Sequence, residues 1–322
     1  MLRILRATAI AVGTLFVGGH AAAAYPDRPI TLVVPYNAGG PTDAMARFLQ
    51  GPLQKELGVT IVVENVAGAG GAIGAQRVLR APADGYTLFL GNNGPSAVTP
   101  LLQDPAPFDP LQDFTPVSLI SRATMILALS GQTPASTLAE FVAYAKTRPG
   151  QLNYASAGIG SLGHLASTLM IQQAGLDMVH IPYKGQAPTL TALMAGEVDF
   201  LLTTPTDAMR AQDKDGRIRI VGVTSAQESP FDPGVAPIAE TVDDFVLYSW
   251  FALLVRDGTP ADIVETLHRA VTRALDDPAV QERFASLGVV AESSDADTVA
   301  QLIRQDVDRW SQVIREHGIT AN

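Results

Sequence analysis

The sequence lacks cysteine altogether among its 322 residues, and it is poor in aromatic side chains (6%) and in charged ones (17%). Without cysteine no disulfide can form and no thiolate is available to a metal or a lipid anchor. The folded chain must therefore derive its stability from a hydrophobic core, and its length is ample for two domains.

The first 24 residues have the features of a secretory signal peptide. Arg3 and Arg6 precede an apolar segment at residues 7–18, and three alanines form an A-x-A cleavage site before Tyr25. The apolar segment is shorter than the about 20 residues of a membrane span. We therefore predict cleavage after Ala24 and export of a soluble protein, most simply to a bacterial periplasm.

Basic residues are scarce, with 22 Lys and Arg against 32 Asp and Glu. Removal of the two arginines of the signal peptide leaves 20 basic residues against the same 32 acidic ones, so the net charge changes from −10 to −12. This charge argues against nucleic acid and anionic membrane surfaces as partners. It does not exclude a small anionic ligand, because helix ends can dominate the local field inside a cleft.

Apolar strands alternate with amphipathic helices along the rest of the chain, which predicts an α/β fold with mainly parallel sheets. Two extended apolar segments, near residues 120–129 and 248–255, flank a middle block with its own strand–helix–strand pattern. We predict a first domain from residues 25–122 and 250–322 and a second from residues 123–249. The two crossings between them would form a hinge over a central cleft.

A glycine-rich stretch from Pro35 to Asp43 connects the first predicted strand to the first predicted helix. Strand, glycine turn and helix N-terminus is the arrangement in which free backbone N–H groups converge on an anion. By itself the stretch is equally consistent with an ordinary strand–helix turn. A second glycine-rich turn, at residues 67–74, also precedes a predicted helix.

In the middle block, residues 158–163 match the G-x-G-x-x-G pattern of dinucleotide-binding folds. The acidic residue expected at the end of the next strand is missing, because that strand ends in Tyr183 and Lys184. We therefore favour a second helix N-terminus directed at an anion, with hydroxyls from Ser156 and Ser161. Lys184 is either a cleft cation or a solvated charge.

Catalytic and metal-binding patterns are weak. His164 follows Ser161 by one helical turn, yet no G-x-S-x-G elbow is present and the pair does not have the spacing of a catalytic triad. His164 could contact a ligand or simply be satisfied by nearby backbone. The histidines form no H-x-H or H-x-x-x-H pair, so we expect no metal, no cofactor and no catalytic residue.

Several motifs occur together and in order along residues 25–319. They are Y-P-D-R-P-I-T-L-V-V-P-Y-N-A-G-G-P-T-D, V-V-E-N-V-A-G-A-G-G-A-I-G, D-G-Y-T-L, Y-A-S-A-G-I-G-S-L-G-H-L, I-P-Y-K-G and G-T-P. This combination resembles the Bug family of periplasmic solute-binding proteins that serve tripartite tricarboxylate transporters. The resemblance implies a type II periplasmic-binding-protein (Venus flytrap) fold, no enzymatic activity, and binding of a small organic acid between the domains.

The resemblance also implies the residues of the ligand site. In the first domain these are Tyr36, Asn37, Gly39, Gly40, Thr42 and Asp43, with Asn92 and Ser96 nearby. In the second domain they are Ser156, Gly158, Ser161, His164 and Tyr183, with Thr203 and Asp207 at a strand end.

The partners implied are the small carboxylate and the membrane permease subunits, and we expect a monomer. Because the predicted loops contain no basic cluster, a mono- or dicarboxylate or an aromatic acid is favoured over a fully paired tricarboxylate. Two alternatives stay open. One is a ligand-sensing role for a signalling receptor, and the other is an exported hydrolase that uses the same cleft.

Overall fold

The computed structural model describes residues 25–103 and 105–320, so the predicted signal peptide lies outside the described residues. The strands are β1 Ile30–Val34, β2 Ile61–Asn65, β3 Thr87–Asn92, β4 Phe114–Thr124, β5 Ile126–Ser130, β6 Asn153–Ser156, β7 Val179–Pro182, β8 Phe200–Thr203, β9 Ile218–Val223, β10 Tyr248–Arg256 and β11 Val290–Ala291. The helices are α1 Pro41–Leu57, α2 Ala72–Leu79, α3 Leu138–Lys146, α4 Leu162–Gln173, α5 Gln186–Ala195, α6 Asp207–Lys214, α7 Ala261–Leu275, α8 Pro278–Ser286 and α9 Ala296–His317.

Two separate sheets organise these elements. The first has the order β11-β4-β10-β3-β1-β2, and β2, β1 and β3 are parallel. The second has the order β7-β6-β8-β5-β9, and β7, β6 and β8 are parallel. In each sheet the parallel strands bring their carboxyl ends to one edge, which is where an open α/β sheet binds its ligand.

The prediction of mainly parallel sheets was wrong, because both sheets are mixed. Strand β10 runs antiparallel to β3 and β4, and β5 runs antiparallel to β8 and β9. The antiparallel strands are those that enter a sheet at the connection between the two halves. A strand that enters a sheet directly from the other half of the molecule has no crossover helix to turn it parallel to its neighbours.

The chain crosses between the sheets at two places that lie side by side. Met125 joins β4 directly to β5, and residues 224–247 lead back from β9 to β10. The backbone N–H of Thr224 donates to the Met125 carbonyl over 2.9 Å, and the Met125 N–H donates to Thr224 Oγ1 over 2.9 Å. These two bonds join the two crossings to each other and form a narrow connection between the two sheets, as in a hinge.

Helix α9 packs on both halves. Val299 and Ile303 lie in the core beside the first sheet, whereas Trp310 and Ile314 lie in the core beside the second sheet. Trp310 is 1% exposed, as expected for a packing anchor. The assignment of residues 250–322 to the first domain remains a prediction.

Three local features were not predicted from the sequence. They are the short helix α6, the two-residue strand β11 and a π-helical turn at Gly94–Val98 that directly follows β3. Such π turns interrupt the usual hydrogen-bond ladder and often occur beside functional sites. This one begins two residues after Asn92, at the edge of the sheet that faces the other half.

Candidate functional site

A cleft lies between the two sheets, and it consists of two adjoining cavities. The deep cavity has a volume of about 50 Å³ and the outer one about 470 Å³. Tyr36 and Ala157 line both, so the cavities adjoin at these two residues. Met125, Ser249 and Phe251 close the deep cavity on the hinge side.

Three helices begin at the deep cavity. Helix α1 begins after Gly40, with Pro41 at its first position, α4 begins after Ser161, and α5 begins at Gln186. The first N–H groups of a helix have no acceptor inside that helix, and the aligned peptide dipoles place partial positive charge there. The cavity thus receives hydrogen-bond donors from both halves of the molecule.

The side chains that line the deep cavity are neutral. Its polar members are Tyr36, Thr42, Asn92, Ser161, Gln186, Thr203, Thr204 and Ser249. Burial raises the pKa of the Tyr36 phenol, which therefore stays protonated and donates to Asn92 Oδ1 over 3.1 Å. A carboxylate placed here would be held by backbone and hydroxyl donors, without a formal positive charge.

The outer cavity is lined by loops of the two halves. The glycine-rich loop at residues 67–71 faces residues 157–159 and 182–185, and Thr99, Leu102 and Gln103 complete the wall. Lys184 is the only charged residue that lines either cavity within the described part of the chain. The positive charge of Lys184 thus lies at the outer end of the cleft.

Direct contacts cross the mouth of the cleft. The Asn37 side chain donates to the Lys184 carbonyl over 2.6 Å. The Thr99 hydroxyl lies 3.1 Å from the Gly70 carbonyl and 3.4 Å from the Gly160 carbonyl, so it links a loop of each half. The cleft is therefore closed in this structure.

Of the predicted site residues, eight line the cleft. Tyr36, Gly40, Thr42, Asn92, Ser161 and Thr203 line the deep cavity, while Gly158 and Tyr183 line the outer one. The other seven lie outside both cavities, and they are Asn37, Gly39, Asp43, Ser96, Ser156, His164 and Asp207.

Asp43 braces the first loop from behind. Its carboxylate accepts hydrogen bonds from the Gly39 backbone (3.0 Å), Arg47 Nε (2.9 Å) and Asn65 Nδ2 (3.0 Å). Burial acts to raise the pKa of Asp43, but these hydrogen bonds outweigh it and the pKa is lowered. Asp43 thus stays ionised and fixes the turn from which α1 begins.

Ser156 and His164 support the second loop in a similar way. Ser156 is fully buried, and its hydroxyl contacts the backbone of Gly158 and the His180 ring. His164 accepts a hydrogen bond from the Gly160 backbone through Nδ1. Ser96 is buried in the π turn, and Asp207 is an exposed residue at the start of α6, with its carboxylate 3.4 Å from the Ser286 hydroxyl.

Sequence reasoning missed several lining residues. Gln186 follows Gly185 at the start of α5, and a glycine before a helix with proline in its first turn could have indicated it. Its Nε2 donates to the Thr204 carbonyl over 2.8 Å. Ser249 and Phe251 carried no such signal, because they lie within an apolar strand that indicates only core packing.

The described residues hold no group of three or more histidine or acidic side chains arranged to bind a metal ion. Within the same residues, no helix combines the length and apolar character needed to cross a bilayer.

Comparisons with known proteins agree closely with one another. A family described as "Tripartite tricarboxylate transporter family receptor" matches residues 45–319. Protein BugT of Bordetella pertussis is 34% identical, over 99% of this chain and 98% of its own length. A malate-bound MatC of Rhodopseudomonas palustris has a TM-score of 0.85 at 33% identity, and the match covers 90% of this chain and all of that one. An adipate-bound protein of R. palustris has a TM-score of 0.87 at 32% identity, and the match covers 92% and 99% of the two chains.

Proposed function

Because the chain belongs to the tripartite tricarboxylate transporter receptor family, we propose that it is a periplasmic solute-binding protein that captures a small carboxylate in its interdomain cleft and delivers it to a membrane permease. The observation that carries the proposal is the convergence of three helix N-termini on a deep cavity without charged side chains. Similar proteins hold malate and adipate.

The chemistry of the cavity favours one carboxylate at its inner end. Charge-assisted hydrogen bonds contribute roughly 1.5–3 kcal/mol each, so a few of them support a binding free energy near −8 kcal/mol, which corresponds to about micromolar affinity. The remainder of the ligand extends into the outer cavity, where Lys184 can face a second acidic group. This arrangement suits a mono- or dicarboxylate.

Closure and binding are coupled through the same contacts. A carboxylate that touches α1 of one half and α4 and α5 of the other makes all its contacts only when the cleft is closed. A ligand shifts an equilibrium by its differential affinity for the two states, so it stabilises the closed form. The permease would then recognise that form.

The side chains argue for binding without catalysis. Ser161 Oγ caps α4 by accepting from the His164 backbone N–H, and among the described residues it forms no hydrogen bond with a histidine ring. Ser156 does contact a histidine ring, over 2.7 Å, but it is fully buried and out of a substrate's reach. Neither serine of this loop region therefore gives the hydrolase alternative an accessible nucleophile beside a base.

The test is a thermal-shift and calorimetric screen of the mature protein against malate, adipate, shorter dicarboxylates and aromatic acids, each paired with its amide. A ligand at one hundred times its dissociation constant should raise the melting temperature by about 5 °C. The amide counterparts should have little effect. If no acid stabilises the protein more than its amide does, carboxylate binding is refuted.

Two variants locate the site. Thr203→Val removes a hydroxyl from the deep cavity and should weaken carboxylate binding about tenfold or more, the value of one charge-assisted hydrogen bond. Thr191→Val changes the same residue type on the exposed face of α5 and should bind normally. Uptake of the stabilising acid by a deletion strain then separates a transport role from the sensing alternative.

A further inference from the structure

Four aromatic rings form a continuous stack inside the second half of the molecule. His164 of α4 lies on His180 of β7 with ring centroids 4.0 Å apart and an interplanar angle of 13°. His180 lies on Tyr154 of β6 at 4.9 Å, and Tyr154 lies on Phe200 of β8 at 5.4 Å. The stack extends from the hydrophobic core to the loop that lines the cleft.

Each histidine of the stack is connected to that loop by a hydrogen bond. His164 Nδ1 accepts from the backbone N–H of Gly160 over 3.3 Å. His180 Nε2 lies 2.7 Å from Ser156 Oγ, which in turn accepts from the Gly158 N–H over 3.2 Å and lies 3.1 Å from the Gly158 carbonyl. The two rings thus reach the two glycines of the loop.

The loop needs such support. Gly158 and Gly160 have φ values of +132° and +78°. Residues 157–159 of this loop line the outer cavity, and Ala157 and Ser161 line the deep one. Glycine in this region is the most flexible kind of backbone, because it has no Cβ to restrict it. A loop that must present N–H groups in one fixed orientation therefore depends on its neighbours.

The hydrogen-bond pattern determines the protonation of the rings. Nδ1 of His164 can accept only when it carries no proton, so the ring must be neutral with its proton on Nε2. The Ser156 hydroxyl can donate to the Gly158 carbonyl only if His180 supplies the proton of its own contact from Nε2. His164 is therefore neutral with its proton on Nε2, whereas in the 2.7 Å contact between His180 Nε2 and Ser156 Oγ either group can donate.

The surroundings favour these neutral forms. Burial lowers the pKa of His164 to about 4, and burial followed by the proximity of His164 lowers the pKa of His180 to about 3. The titratable groups that face the pair are the two imidazoles themselves and the Tyr154 phenol. Among the described residues, no carboxylate, lysine or arginine forms a hydrogen bond or ion pair with either ring.

We propose that His164 and His180 are positioning residues, which do not touch the ligand but hold residues 157–161 in the binding conformation through Gly160 and Ser156. The proposal concerns the loop itself and can be tested without a ligand. Only its effect on affinity rests on the proposed function.

The first test uses wild-type protein with ¹⁵N-labelled histidine. At pH 7 the NMR spectrum should show both rings neutral, and His164 should carry its proton on Nε2 and none on Nδ1. A proton on Nδ1 of His164 at this pH would overturn the proposal, because that atom could not accept from Gly160. No variant is required, so folding defects cannot obscure the result.

The second test compares two substitutions of His164 by amide hydrogen exchange in the ligand-free protein. His164→Phe keeps the stacked ring but removes the acceptor, and the Gly160 amide should exchange about fivefold faster, as expected for one lost hydrogen bond. His164→Asn places an amide oxygen near the position of Nδ1, and it should retain most of the protection. Equal exchange in the two variants would contradict the proposal.

Binding of adipate supplies the functional readout. If wild-type protein binds adipate, His164→Phe should weaken binding about fivefold or more, while His164→Asn should restore most of it. If wild-type protein does not bind adipate, that result bears on adipate as the ligand and the measurement is repeated with the best acid of the screen, while the NMR and exchange results still decide whether the histidines position the loop. Normal adipate affinity in His164→Phe would show that the bond to Gly160 does not serve binding.

Discussion

Closure of the cleft can be tested by adding a single methyl group where the two halves meet. Gly70 lies in the glycine-rich loop with φ at +62°, and a Cβ built there would lie closer than 3.0 Å to the Ile159 carbonyl of the opposite half and 3.0 Å from Thr99 Oγ1. We predict that Gly70→Ala hinders closure without damaging either half. The tight contact with Thr99 lies within the first half and can be relieved by a small shift of its side chain, whereas the clash with the Ile159 backbone arises only when the halves meet.

The magnitude follows from the geometry. To relieve the clash, the two loops must separate by about 1 Å, and overpacking of this kind typically costs about 1–3 kcal/mol. If that cost falls on the closed state alone, affinity for the best carboxylate of the screen should fall about 5- to 150-fold, since 1.4 kcal/mol corresponds to a factor of ten.

The matched control is Gly216→Ala. Gly216 has φ at +70°, so the substitution imposes the same backbone strain, but a Cβ there meets nothing within 4 Å. Both variants should lose similar unfolding free energy in urea, roughly 1–2 kcal/mol. Only Gly70→Ala should lose affinity in calorimetry and remain expanded in small-angle X-ray scattering at saturating ligand. Equal affinity in the two variants would refute the reasoning.

Three further predictions concern single side chains. Asp43→Ala removes the acceptor of three hydrogen bonds and should lower the unfolding free energy by about 2–3 kcal/mol. Loss of the exposed Glu265–Arg269 pair in Glu265→Ala should cost less than about 1 kcal/mol, and equal losses in urea titrations would contradict this. The pKa of His164 is about 4 in the folded protein against 6.5 in the unfolded chain, so the unfolded state binds the proton first and stability falls as pH drops below about 6.5. Wild type should lose about 2 kcal/mol more than His164→Phe between pH 7 and pH 5, and parallel pH profiles would argue against the buried neutral ring. Lys184→Gln should weaken binding of a dicarboxylate about two- to fivefold and leave a monocarboxylate unchanged, as measured by calorimetry, and an equal effect on both would show that Lys184 does not face the second acid.

Much of the fold follows from local sequence patterns. Strand β1 at Ile30–Val34 and helix α9 at Ala296–His317 can be identified without tertiary information, because the first is a short apolar run and the second a long amphipathic period. Helix α6 was missed because it is short and polar, with only Met209 buried among its residues. Strand β11 exists only through its pairing with β4.

The family and the two-lobed binding-protein fold were predicted correctly, because ordered motifs carry more information than any one of them. The ligand site was harder. The motifs of residues 35–43 and 155–164 each contain residues that line the cleft and residues that hold a loop in place by hydrogen bonds. The sequence pattern does not distinguish these two kinds of residue. Asp43 and His164 look like ligand contacts in the sequence, yet each holds a loop from behind.

The sequence by itself determined that this is a cysteine-free α/β protein of the tripartite tricarboxylate transporter receptor family with two helix starts preceded by glycine loops, while export by a signal peptide stays a prediction. Those features depend on composition, period and local turn chemistry. Only the tertiary structure decided that a third helix start joins them at one cavity, that the hinge strands contribute its floor, and that a stack of histidines supports its second loop. Such relations arise between residues far apart in the chain, such as Asn37 and Lys184, whose proximity depends on how the two halves close.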